Sequence, residues 1–162
     1  MTYVLSAKAF GGMNIEEILS GLKGGYFHVA PMIVKVAVIN LGMTKEELMA
    51  LVNMNYSLNI FDEDFSIQQL NSLSHDVIMI SNGKVDSKKL PKMVEKIKAC
   101  IGKKTILGVG LGKDLIALAM KELEDGEVLS KEGNILKNEK YKVFCADGST
   151  GNDFGDLIKY IV

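Results

Sequence analysis

The chain has no arginine: all 19 of its basic residues are lysines. The bidentate guanidinium clamp for phosphate or carboxylate is therefore excluded, and an anion site must use backbone N–H groups, lysine or hydroxyls. Cysteine is scarce, with only Cys100 and Cys145 and no CxxC pair, which argues against a disulfide scaffold and a thiolate metal site. Only His28 and His75 offer imidazole, and they are far apart in sequence. No apolar run approaches the ~20 residues a spanning helix needs. The N-terminus lacks a basic region followed by an apolar core, so no signal peptide is expected and a reducing cytoplasm is the default. Charge of either sign is not in excess: the net charge is −1, so nucleic acid and anionic membranes are not expected partners.

What is present is an alternation of short apolar runs and helical patterns over 162 residues, enough for one domain with its own core. Tyr3–Ala7 reads as a first strand, and Asn14 with Glu17 as a capping pair opening a helix that Gly24–Gly25 stops. Ile33–Ile39 is β-branched and almost continuously apolar, the pattern of a strand buried on both faces. Thr44-Lys-Glu-Glu47 is a second capping box, leading a helix to about Asn53. Further strands are expected at Tyr56–Phe61, Val77–Ile80, Lys104–Leu107 and Tyr141–Cys145, with a small β excursion between Gly126 and Lys140. Helices are expected at Phe65–Leu73, Ser87–Ile101, Asp114–Glu124 and Phe154–Ile161. The rhythm predicts an α/β fold in three layers, a mostly parallel sheet with helices on both faces.

In such a sheet ligands sit at the carboxyl ends of the strands. Three loops fall at predicted strand ends: Ala7–Gly12, Gly108–Asp114 and Asp147–Asp153. In a parallel sheet all three would share one edge. Gly108, Gly110 and Gly112 alternate between a strand and a helix, followed by Lys113 and Asp114. The spacing fits neither the P-loop nor the dinucleotide fingerprint. Either the glycines let a ligand approach a helix N-terminus, with Lys113 reaching an anion, or they serve close packing. In the last loop, Asp147 could accept from a base or ribose, with Ser149 and Thr150 adding polar contacts; helix capping is the alternative. Gly11 and Gly12 would supply backbone N–H groups in the first loop. Cys145 reads as a small core residue more readily than as a nucleophile. Cys100 reads as core, His75 as a cap before its strand, and Asp62-Glu63-Asp64 as a solvated turn, and no metal site is expected.

Two of these loops carry a resemblance. Gly108-Val-Gly-Leu-Gly-Lys-Asp-Leu-Ile-Ala-Leu-Ala-Met120 resembles the glycine segment of nucleoside phosphorylases, and Lys142-Val-Phe-Cys-Ala-Asp147 resembles their late strand, whose aspartate recognises the purine. The phosphorylases' phosphate-binding arginines have no counterpart. The chain also looks similar to the HcgF family, with a nucleoside-phosphorylase-like fold, which acts in making the guanylylpyridinol cofactor of [Fe]-hydrogenase in methanogens. That resemblance implies binding of guanylylpyridinol or a related guanine nucleotide, and a thioester formed on a cysteine just after the first strand. Ala9 stands at that position here.

The expectation is thus a nucleotide-like ligand held by Gly11, Gly12, Gly108, Gly110, Gly112, Lys113, Asp147, Ser149 and Thr150, with Ala9 in place of the reactive cysteine. A partner enzyme supplying an activated carboxylate and a homo-oligomeric state go with it. The rival readings are a purine nucleosidase and a non-catalytic subunit whose cleft is vestigial.

Overall fold

A computed structural model describes residues 2–6, 26–30, 34–54, 56–123, 129–148 and 151–161. Among the described residues nine strands form one sheet: β1 (Thr2–Ser6), β2 (Tyr26–Ala30), β3 (Lys35–Ile39), β4 (Ser57–Phe61), β5 (Val77–Ile80), β6 (Thr105–Val109), β7 (Ser130–Glu132), β8 (Ile135–Asn138) and β9 (Val143–Ala146). The described helices are α1 (Lys45–Asn53), α2 (Ile67–Ser72), α3 (Leu90–Cys100), α4 (Leu111–Lys121) and α5 (Gly151–Ile158). The expected helix after Asn14 lies outside the described residues.

The strand order is β1-β2-β4-β3-β5-β6-β9-β8-β7. β4, β3, β5, β6 and β9 run parallel, so Phe61, Ile39, Ile80, Val109 and Ala146 all end at one edge. The sequence explains this centre directly. Val36 and Val38 pack on one face while Ala37 and Ile39 pack on the other, and all four are buried, so the strand must be apolar throughout. One face is covered by α1 and α5 through Leu48, Leu51, Phe154 and Leu157. The other is covered by α2, α3 and α4 through Leu70, Met93, Ile97, Leu115 and Ile116. The expected three-layer α/β arrangement is the one observed.

The flanks differ from a simple parallel sheet. β2 pairs antiparallel with β4 and parallel with β1, so β1 ends at Ser6 on the edge opposite to Phe61 and Val109. The expectation that all three loops share one edge therefore fails at the first strand. Ala9, Gly11 and Gly12 themselves lie outside the described residues. At the other flank β7 and β8 form an antiparallel hairpin beside β9, the small β excursion expected from sequence. β7 is three residues long and exposed throughout, and Lys137 of β8 pairs with Glu132 and Glu139.

Candidate functional site

The carboxyl edge is assembled from the loops that follow β3, β5, β6 and β9. After β6 the chain turns at Gly110, with φ 57° and ψ −114°, straight into α4. A side chain rarely adopts that φ, so glycine is required for conformation there. The two flanking glycines are required for space. A Cβ on Gly108 would meet Ile116 Cδ1 at 2.5 Å, and one on Gly112 would meet the Ile80 carbonyl oxygen at 2.2 Å. Space therefore requires glycine at 108 and 112, and the turn requires it at 110.

The turn is held by a residue from the neighbouring loop. Asn82 follows β5, and its Oδ1 accepts from the N–H of Gly83 at 2.9 Å and from the N–H of Leu111 at 2.9 Å. Two backbone donors from different loops thus converge on one carboxamide oxygen, at the distance that suits an oxyanion hole. A Cβ placed on Gly110 would lie 2.2 Å from Asn82 Oδ1. The Asn82 loop is itself fixed from β3: Ser81 Oγ accepts from Leu41 N–H at 2.8 Å, and Lys84 N–H donates to Leu41 oxygen at 3.0 Å. Gly110 N–H donates to Ala146 oxygen at 3.0 Å, and Gly148 packs beside Val109, so the loop after β9 closes the other side.

Lys113, in the first turn of α4, pairs with Asp147 and lies 3.7 Å from Asp114. The hydrogen bond it donates to Asp147 is the main cause of its raised pKa, so Lys113 is a fixed cation and not a base. The expected neighbourhood of Lys113 and Asp147 is therefore real, but the two groups satisfy each other. Ser149 and Thr150 lie outside the described residues. Cys145 is fully buried, and burial pushes its thiol up to about 12 despite Lys113, which leaves no thiolate near neutral pH. Cys100 is buried in the core of the α3 face, as expected.

His75 is a core residue. It precedes β5 at the opposite edge, is 5% exposed, and its Nε2 lies 2.7 Å from Asn59 Nδ2. Burial, then Lys104, lowers its pKa to about 4, so it is a neutral core group. Asp76 does the local binding instead, accepting from Lys35 N–H at 2.9 Å. In the acidic turn, Glu63 and Asp64 are tied to Lys89 at 2.9 and 3.1 Å. Among the described residues no three His, Cys, Asp or Glu side chains are grouped to hold a metal ion, and no helix is long and apolar enough to cross a membrane.

In the sequence, Asn82-Gly83 reads only as a turn. The available signal is that this turn follows a buried strand predicted to end at the same edge as Gly110. Its weight comes from β5 and β6 being parallel neighbours, which local sequence does not announce.

Comparison with known proteins shows the family. The glutamine amidotransferase class-I family model matches residues 37–151. The carbamoyl phosphate synthase small chain of Clostridium perfringens is 31% identical over 86 residues, covering 53% of this chain and 25% of that one. The same protein of Caldanaerobacter subterraneus subsp. tengcongensis is 33% identical over 111 residues, covering 68% and 31%. The chain thus spans about a quarter to a third of these relatives' length. A solved structure from Thermoplasma acidophilum, described as one of the subunits of a GMP synthase, shares the fold. Its TM-score is 0.58 at 13% identity, over 82% of this chain and 94% of that one. These matches overturn the resemblance to nucleoside phosphorylases and to the HcgF family, and with it guanylylpyridinol binding and a thioester at Ala9. The misleading feature is the glycine turn itself, because a strand, a tight glycine turn and an alanine-rich helix recur across unrelated α/β families.

Proposed function

Since the chain belongs to the class-I glutamine amidotransferase family, we propose that it is a member that does not hydrolyse glutamine and acts by association with a larger partner. The observation that carries this is Gly110. Cleaving an amide through a covalent intermediate needs a nucleophile with N–H donors beside it to hold the developing oxyanion, and an α/β sheet can present both at a tight strand-to-helix elbow. The turn from Gly108 to Gly112 has that shape, but its central position carries no side chain. The two converging N–H groups are occupied by the chain's own Asn82. Cys145 offers no substitute nucleophile, being buried and protonated. His75 offers no base to this edge, since it sits at the far end of the sheet.

The relatives' names support the second half of the reading: they are components of synthases, two of them small chains. A fold retained with its reactive position empty suits a chain selected for docking and stability more than for turnover. The test is direct. Purified protein incubated with L-glutamine should release no glutamate above a protein-free control, and on co-expression with the large synthase chain encoded by the same organism it should co-elute on gel filtration. Glutamate release above that control would end the non-hydrolytic reading. Elution at its own size beside that chain would end the partner reading.

A further inference from the structure

Gly110 is not alone in closing the elbow. We propose that the carboxamide of Asn82 and any side chain at position 110 are alternative occupants of one space, so that Asn82 is the residue that keeps the elbow shut. The inference rests on the closed-site reading above but concerns how the closure is built.

A Cβ on Gly110 would lie 2.2 Å from Asn82 Oδ1, 2.3 Å from Cγ and 2.8 Å from Nδ2. All three atoms of the amide head are too close, so spinning the amide about its own bond gives no relief. The whole head must leave by rotation nearer the backbone. The backbone of this loop cannot move in its place. Ser81 Oγ accepts from Leu41 N–H at 2.8 Å and donates to Asn82 oxygen at 2.9 Å. Gly83 is pressed so tightly on the β3 loop that a Cβ there would fall 1.9 Å from Leu41 oxygen. Asn82 is solvent-exposed on its outer side, which leaves its side chain a way out. Departure costs the two bonds from Gly83 and Leu111 N–H.

The elbow therefore has two exclusive arrangements, Asn82 in with glycine at 110, or Asn82 out with a side chain at 110. The expected signature is a pair of substitutions that do not add. The backbone strain of alanine at φ 57° is present in both G110A and N82A/G110A, so it cancels in the cycle. Thermal unfolding should show the N82A/G110A variant losing clearly less in Tm than the sum of the two single losses, because G110A has already expelled Asn82. Amide exchange by NMR gives the local readout. N82A should speed exchange at Gly83 and Leu111 by about tenfold or more relative to Gly110, whose N–H bonds Ala146. G110A should expose the same two amides although Asn82 is still there. Should G110A fail to fold, the double variant should fold where it does not. Additive Tm losses, or Gly83 and Leu111 amides still protected in G110A, overturn the proposal. Glutamate release by the unmodified chain would instead strike the non-hydrolytic reading and leave these outcomes as they stand.

Discussion

The two edges of the central sheet treat polar groups in opposite ways. At the carboxyl edge, where the family's chemistry is expected, Asn82, Lys113 and Asp147 all find partners within the chain. At the amino edge, where no chemistry is expected, Ser57 Oγ is buried with no hydrogen-bond partner among the described residues, and His75 is buried as a neutral imidazole. An edge that works on a ligand would keep donors free and spend stability to do so. Here the reverse holds, and the buried group without a partner, Ser57 Oγ, lies at the other edge. The donors at the glycine turn are paired within the chain, while unsatisfied polarity sits at the far edge of the sheet.

Four measurements would test that contrast. The largest effect belongs to G112A at the elbow. Its Cβ would fall 2.2 Å from Ile80 oxygen, a clash between backbones that no rotamer relieves. A loss of about 3 kcal/mol in urea unfolding is expected; a loss near zero would show that β5 and α4 are not in close contact. Next is the pH dependence at the other edge. The His75 pKa is lowered to about 4 from an ordinary value near 6.5, so the unfolded chain binds the extra proton first as pH falls. The stability due to its neutral burial is complete above about pH 6.5 and drains away down to about pH 4, by on the order of 2 kcal/mol. H75Q should flatten that slope, and a slope unchanged in H75Q would place the titration elsewhere. Smaller again is N82A, which leaves two backbone donors to water at a cost of about 1–2 kcal/mol. A stabilised N82A would mean that Asn82 does not hold the elbow. Smallest is D147N, since Asp147 is well exposed and its pair with Lys113 is worth about 1 kcal/mol or less. A larger loss, insensitive to salt, would give that pair a structural role the geometry does not suggest.

Much of the fold is legible because its causes are local. Thr44 Oγ1 accepts from Glu47 N–H at 3.1 Å and Glu47 Oε1 accepts from Thr44 N–H at 2.9 Å, the capping box read from four residues. Val77–Ile80 is buried at every position, as an unbroken apolar run requires. What escapes is non-local. No strand is expected over Tyr26–Ala30, because nothing within it shows that it lies antiparallel to β4. α4 begins at Leu111 and not at Asp114, since Leu111 N–H is capped by a residue 29 positions away. The glycine turn is visible in the sequence, and its neighbourhood with Asp147 is the one expected. Its meaning is hidden, because the occupant of the site comes from another strand's loop.

The hairpin at the far flank bears on how the protein behaves in concentrated solution. A sheet ends there in β7, and an outermost strand normally offers its open N–H and C=O row to any passing chain. This one has three residues, Ser130-Lys-Glu132, every one of them in water, and Glu132 is drawn back to Lys137 on the inner strand. So short a charged hem gives an incoming strand little to zip onto, and protein-rich preparations should resist fibre growth from that side. Lengthening the hem with valines would be expected to seed it.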